Sequence, residues 1–173
     1  MATDELFDER ALFKFTSGLY VVSAADGDEV GACIINTGLQ VTSKPFQVQV
    51  VVNKENHTEQ VIEKAGHFAL CPLTQDVDML YIGRFGFRSS ADIDKFDGVK
   101  TETTSLGDPY ECEHAASVIA CEVRQTLDVG THMIFVGEVK EARPLSDVEP
   151  LTYGYYHTVL KGKTPPKASS YIG

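Results

Sequence analysis

Apolar residues in this chain recur at a period of two, in runs of a few residues, and glycine, asparagine and aspartate punctuate the runs. The cleanest run is 46–52, where Phe46, Val48, Val50 and Val52 share one face while Gln47 and Gln49 face water or a partner subunit. Residues 18–23 and 31–36 flank Asp26-Gly27-Asp28 and predict a hairpin. Further strands are predicted at 67–71, 117–124 and 132–140, the last two joined by a turn at Asp128-Val129-Gly130. Six or seven strands that do not alternate with long helices exclude a doubly wound parallel sheet. The expectation is a mainly β chain, an antiparallel barrel or sandwich with short peripheral helices.

Five helical segments are predicted around those strands. Residues 4–15 form an amphipathic stretch that Thr3 or Asp4 can cap, with Leu6, Phe7, Leu12, Phe13 and Phe15 as its stripe. Residues 56–65 begin with Asn56-x-x-Glu59, a capping-box form, and end at Gly66. Two pieces at 75–82 and 90–96 are joined by a loop at 83–89, and a helix at 151–161 precedes a Pro/Lys tail. Residues 100–110 show no period and are expected to be a loop. At 173 residues the chain corresponds to one domain, with a tail from about 160.

Fifteen Lys+Arg against 25 Asp+Glu give a formal net charge of −10, which disfavours a grip on nucleic acid or an anionic membrane. A local basic pocket for one small anion remains compatible with it. No apolar stretch is long enough to span a bilayer, the first residues lack a signal-peptide core, and a cytoplasmic location is expected. Cys33, Cys71, Cys112 and Cys121 contain no C-x-x-C pair, and all but Cys112 sit in apolar runs as expected of buried free thiols. Cys112-x-His114 is the one close Cys/His pair, the five histidines include no ligand-spaced pair, and no metal is expected. No Gly-x-Ser-x-Gly, Walker or Gly-x-Gly-x-x-Gly pattern is present.

Polar residues gather just after strand ends, where ligand groups are usually presented. The first group is 36–45, including Asn36, Thr37, Gln40, Thr42 and Ser43; the second is 53–58, including Asn53, Asn56 and Thr58. The third runs from Phe85-Gly86 through Ser89 and Asp92 to Lys95. Hydroxyls, amides beside a glycine and the cations Arg88 and Lys95 are what a phosphate requires. The same residues also serve as caps and turn formers, Asn56 and Ser89 or Ser90 above all, and spacing alone leaves both roles open.

These groups carry a resemblance. The sequence resembles the flavin reductase-like family with an FMN-binding split β-barrel, in particular reductase domains fused elsewhere to rubredoxin. The matching stretches are 18–22; Asn36-Thr37 with Gln40-Val41-Thr42-Ser43-x-Pro45; Asn53-Lys54-x-Asn56-x-Thr58; and Ile82-Gly83-x-Phe85-Gly86-Phe87-x-Ser89 with Asp92 and Asp94-Lys95-Phe96. Val129-Gly130-Thr131-His132 with 134–139, and Leu151-Thr152-Tyr153 through Pro165, complete the order. Gly38-Leu39 and Lys44 depart from the family's usual pattern.

The resemblance implies a homodimeric, six-stranded antiparallel Greek-key split β-barrel that binds FMN near the subunit interface. It implies that Asn36, Thr37, Gln40, Val41 and Thr42 line the flavin ring and ribityl chain. Asn53, Thr58, Phe85, Gly86, Ser89 and Lys95 would hold ribityl and phosphate, and His132 would lie near flavin and nicotinamide as the catalytic candidate. Tyr155, Tyr156 and His157 either line the nicotinamide side or pack a helix on the barrel. The implied activity is hydride transfer from NADH or NADPH to FMN, with electrons passed to free flavin, oxygen or a redox protein. No rubredoxin module follows Gly173, so a rubredoxin-like partner would be a separate protein. A protein-to-protein electron shuttle, or a flavin-sequestering protein, is the alternative.

Overall fold

The computed structural model describes residues 6–171. In chain order its elements are a 3-10 helix (Glu9–Lys14), β1 (Tyr20–Asp26), β2 (Glu29–Ile35), β3 (Leu39–Ser43), β4 (Phe46–Asn53), α1 (His57–Ala65), β5 (His67–Pro72), α2 (Met79–Phe87), β6 (Thr101–Thr103), β7 (Pro109–Glu111), β8 (Ser117–Asp128), β9 (His132–Pro144) and α3 (Tyr153–Thr158). Seven strands make one antiparallel sheet in the order β2-β1-β5-β8-β9-β4-β3, and β6 with β7 make a separate ribbon. The mainly β, antiparallel class agrees with expectation. The sheet has one strand more than the six expected, because β3 folds back on β4 as an edge strand whose five residues are all exposed.

The sheet is rolled. Flat, β2 and β4 would lie about 24 Å apart across five strand spacings. Instead Cys33 and Ile35 of β2 share one core with Val48, Val50 and Val52 of β4, together with Phe68, Leu70, Cys121 and Phe135. Thr37 closes the seam: its hydroxyl donates to the Val51 carbonyl (2.9 Å) and accepts from the Val51 N–H (3.1 Å). One side chain thus satisfies both backbone groups that a neighbouring strand would otherwise pair.

Layering explains why some strands alternate and others do not. Val22 of β1 points into the barrel core, while Val21 points the other way, into a second cluster with Tyr81, Ile82 and Phe85 of α2 and with Leu151 and Tyr156. With both faces covered, β1 and β5 are near-continuous apolar runs. β4 alternates because only its inner face is buried. α1 plugs the barrel with Val61 and Ile62, and Gly31 lets it come close: a Cβ there would stand 2.7 Å from the Thr58 Cα. Asn56 accepts from the Thr58 N–H, and Gly66 closes the helix at φ 74.

Four local expectations change, the first being 90–96, which forms turns rather than a helix. The expected loop at 83–89 lies largely within α2, whose N-cap is Asp78, accepting from the Tyr81 N–H at 2.7 Å. Gly83 and Gly86 do not break it because burial of Tyr81, Ile82 and Phe85 outweighs their poor helix propensity. Residues 100–110 contain the β6–β7 ribbon, held to the barrel by buried Asp108, which accepts from His67 Nδ1 (2.8 Å) and the Ala25 N–H (3.0 Å). The N-terminal helix is a single 3-10 segment capped by Asp8, and Leu12, Phe13 and Phe15 beside it are exposed. The expected caps Thr3 and Asp4 lie outside the described residues.

Candidate functional site

A cleft opens where the seam between β2 and β4 ends, roofed by α2, α3 and the segment 165–169. It holds about 630 Å³ of empty space, much of it open to solvent. Its walls are apolar and aromatic: Leu19, Ile35, Ile82, Phe87, Tyr153 and Tyr156. Backbone register places its polar edge. Asn53, the last residue of β4, pairs with His132, the first of β9. Asn36 and Thr37 follow directly on β2. Period-two geometry at three neighbouring strand ends therefore delivers Asn36, Asn53 and His132 to one rim.

The hydrogen bonds of that rim are specific. Asn36 donates through Nδ2 to Ser170 Oγ and accepts at Oδ1 from Ser169 Oγ, both at 3.2 Å. Asn53 Nδ2 and His132 Nε2 both point at the Lys167 carbonyl, each at 3.3 Å. Because a carbonyl only accepts, Nε2 of His132 carries a proton, and Nδ1 shares a hydrogen bond with the Thr131 hydroxyl at 2.8 Å. The imidazole therefore presents a donor at the cleft.

Of the residues expected at the site, Asn36, Thr37, Asn53, Gly86 and His132 line this cleft. The others lie elsewhere. Gln40, Val41 and Thr42 are on the exposed edge strand β3, where Thr42 Oγ1 donates to the Pro45 carbonyl at 2.6 Å. Thr58 is fully buried in the first turn of α1, and its hydroxyl has no hydrogen-bond partner. Phe85 is a core side chain stacked on Tyr81, with ring centroids 4.5 Å apart. Ser89 accepts from the Ala91 N–H as a turn former.

Lys95, expected as a phosphate-holding cation, is 2% exposed, and its ammonium donates to the carbonyls of Ala32 (2.7 Å) and Phe85 (2.8 Å). Burial lowers it to about 8, with the Cys33 thiol acting in the opposite sense. Ser90 bonds both the N–H and the carbonyl of Ala32, at 3.0 and 2.9 Å. β2 is an edge strand, and these two side chains occupy polar groups it would otherwise leave open.

Sequence reasoning missed Phe87, Tyr153 and the tail residues Lys167 and Ser169 as lining. Nothing local marks them; they reach the cleft because α2 and α3 pack on the outer face of β1 and β2. Tyr156 is core rather than cleft alone, 2% exposed, and stacks with Tyr153. Thiol chemistry finds no support. Burial raises Cys33, Cys71 and Cys121, the last to about 12, and Cys112 is half-buried. Among the described residues no group of His, Cys, Asp and Glu could hold a metal ion, and no helix is long and apolar enough to cross a membrane.

The flavin reductase like domain matches residues 12–161. The chain belongs to that family. Among curated relatives of this flavin reductase-like protein is the ferric-chelate reductase (NAD(P)H) of Archaeoglobus fulgidus, 44% identical over 165 residues that cover 95% of this chain and 98% of that one. Another is the high molecular weight rubredoxin of Moorella thermoacetica, 38% identical, covering 95% of this chain and 72% of that one. Among solved structures, the NADH:FAD oxidoreductase SgcE6 of Streptomyces globisporus C-1027 superposes with a TM-score of 0.76 at 24% identity, over 88% of this chain and 90% of that one. That likeness is one of fold.

Proposed function

We propose that this flavin reductase-like protein holds FMN in the cleft beside Asn36, Asn53 and His132 and oxidises NADH or NADPH there, passing the electrons to an acceptor. The observation that carries the reading is the convergence of those three side chains from separate strand ends onto one rim of an aromatic-walled cleft. When bound, FMN supplies the redox chemistry by taking a hydride and releasing electrons singly or in pairs.

The donor set suits that group. Asn36 offers a donor and an acceptor side by side, matching a heterocycle edge that alternates N–H and carbonyl. His132 presents an N–H to the cleft, a donor that would stabilise negative charge on a reduced ring held there, and Thr131 hydrogen-bonds the other ring nitrogen. Tyr153 and Phe87 exclude water from one face. Thr37 acts by position, because its hydroxyl is committed to the β2–β4 seam.

The decisive experiment is a visible spectrum of the protein supplied with FMN, before and after anaerobic NADH and then NADPH. A bound-flavin spectrum that bleaches with either nucleotide is expected; no uptake of FMN would refute the reading. The name of the Archaeoglobus relative adds ferric chelates to free flavin, oxygen and redox proteins as acceptors to assay. The Moorella relative favours a second reading, a shuttle serving a separate rubredoxin-like protein, which bleaching by neither nucleotide would support.

We also propose a homodimer that uses the face around β3. Leu39 and Phe46, on the paired strands β3 and β4, are each 59% exposed and Val41 39%, an unusual apolar display on one sheet edge. Pairing there would bury Gln40, Val41 and Thr42 and bring them to a flavin site at the interface. Phe46→Glu is expected to halve the mass seen by light scattering, and an unchanged mass would refute this face.

A further inference from the structure

The C-terminal segment 163–171 crosses the mouth of the cleft and takes the hydrogen-bonding groups of its rim. Asn36 is engaged at both ends by Ser169 and Ser170, and Asn53 and His132 share the Lys167 carbonyl. The segment has turns of its own: Ala168 N–H donates to the Pro165 carbonyl (3.0 Å) and Tyr171 N–H to the Ala168 carbonyl (3.1 Å). α3 carries its anchor. The Tyr153 hydroxyl meets Thr164 (2.7 Å) and Ser170 (3.1 Å), and the Tyr156 hydroxyl donates to the Lys163 carbonyl (2.9 Å).

Its exit is a built hinge. Lys161 has φ 56, in the left-handed region, and a Cβ at Gly162 would stand 2.0 Å from the Tyr156 ring. The segment leaves α3 pressed flat on that ring. Beyond the hinge none of its described residues is buried, so hydrogen bonds that water can replace hold it rather than a core.

We propose that residues 163–171 are an autoinhibitory strap whose docked form competes with flavin for Asn36, Asn53 and His132. The proposal rests on the cleft being the flavin site. The single Nε2–H of His132 cannot serve a ligand while it is bonded to the strap, and the strap occupies the space beside Asn36 and Asn53, so only strap-released molecules bind in full. If the strap is docked about nine-tenths of the time, apparent affinity falls about tenfold.

The test compares FMN affinity, by quenching of flavin fluorescence, in the full chain, in a chain ending at Gly162, and in Ser169→Ala/Ser170→Ala. Removing the strap is expected to tighten binding about tenfold, and the double substitution to move it the same way by less. Trypsin cleavage at Lys167 of the full chain is expected to accelerate when FMN is added, because a displaced strap is exposed. Unchanged or weaker affinity of both variants, or protection of Lys167 by FMN, would overturn the strap. Should the shortened chain fail to fold, the double substitution and the cleavage assay decide the matter. No flavin uptake by any form would instead overturn the reading of the cleft, and the competition with it.

Discussion

Two polar segments of this molecule look alike in composition and do opposite work. The rim of the cleft (Asn36, Asn53, His132) and the loop after α2 (Ser89, Ser90, Lys95) both gather amides, hydroxyls or cations beside strand β2. At the rim, each side chain gives a hydrogen bond to the solvent-accessible C-terminal segment. In the loop, Ser90 and Lys95 bond the backbone of Ala32, which is fully buried in an edge strand. Residue type does not decide whether a polar group is free for a ligand; its partner does.

Lys95→Met offers the sharpest break of that contrast. It removes the ammonium that donates to two carbonyls, Ala32's keeping Ser90 as a second donor, and should lower stability by about 2–4 kcal/mol in urea unfolding, leaving the flavin affinity of the folded protein in place. Asn36→Ala with Asn53→Ala should do the reverse, weakening FMN binding by more than about tenfold, roughly 1.4 kcal/mol, with little change in Tm. The opposite pairing of outcomes would erase the distinction.

A subtler check is pH. The Lys95 ammonium is lowered to about 8 in the folded chain, from 10.5. The unfolded chain therefore binds the extra proton between those values, and this component of stability rises as pH climbs from about 8 towards 10.5. The neighbouring Cys33 thiol is raised by burial and works in the opposite sense, so the difference between wild type and Lys95→Met is the quantity to measure. A flatter slope in the variant is expected, and parallel slopes would mean that Lys95 is not buried as a cation. Smallest of all, Ser90→Ala should destabilise by about 1 kcal/mol, because two hydrogen bonds to one exchangeable edge are lost.

Much of the architecture was legible. Short apolar runs between turn signals located β1, β2 and β5, alternation located β4, and Asn56 and Gly66 bounded α1 as capping chemistry requires. The ribbon at Thr101–Thr103 and Pro109–Glu111 was not legible, because its stability comes from Asp108 reaching His67 and Ala25, far away in sequence. Likewise α2 runs through two glycines that local propensity counts against it. At the site, Asn36 and Asn53 stood out as polar residues just after strand ends, and His132 was named through the family resemblance. Tyr153 and Ser169 could not be named, since neither has a local pattern that aims it at the cleft.

The sequence by itself determined the strand class, the acidic surface, the family and the residues able to present donors at strand ends. Those are properties of neighbours along the chain, set by alternation, capping and side-chain chemistry. Only the tertiary structure decided which donors are available: Thr37 is absorbed by the seam and Lys95 by an edge strand, while the rim is shared with the chain's own tail. Hydrogen-bond capacity is finite, and its allocation depends on what folding brings within about 3 Å.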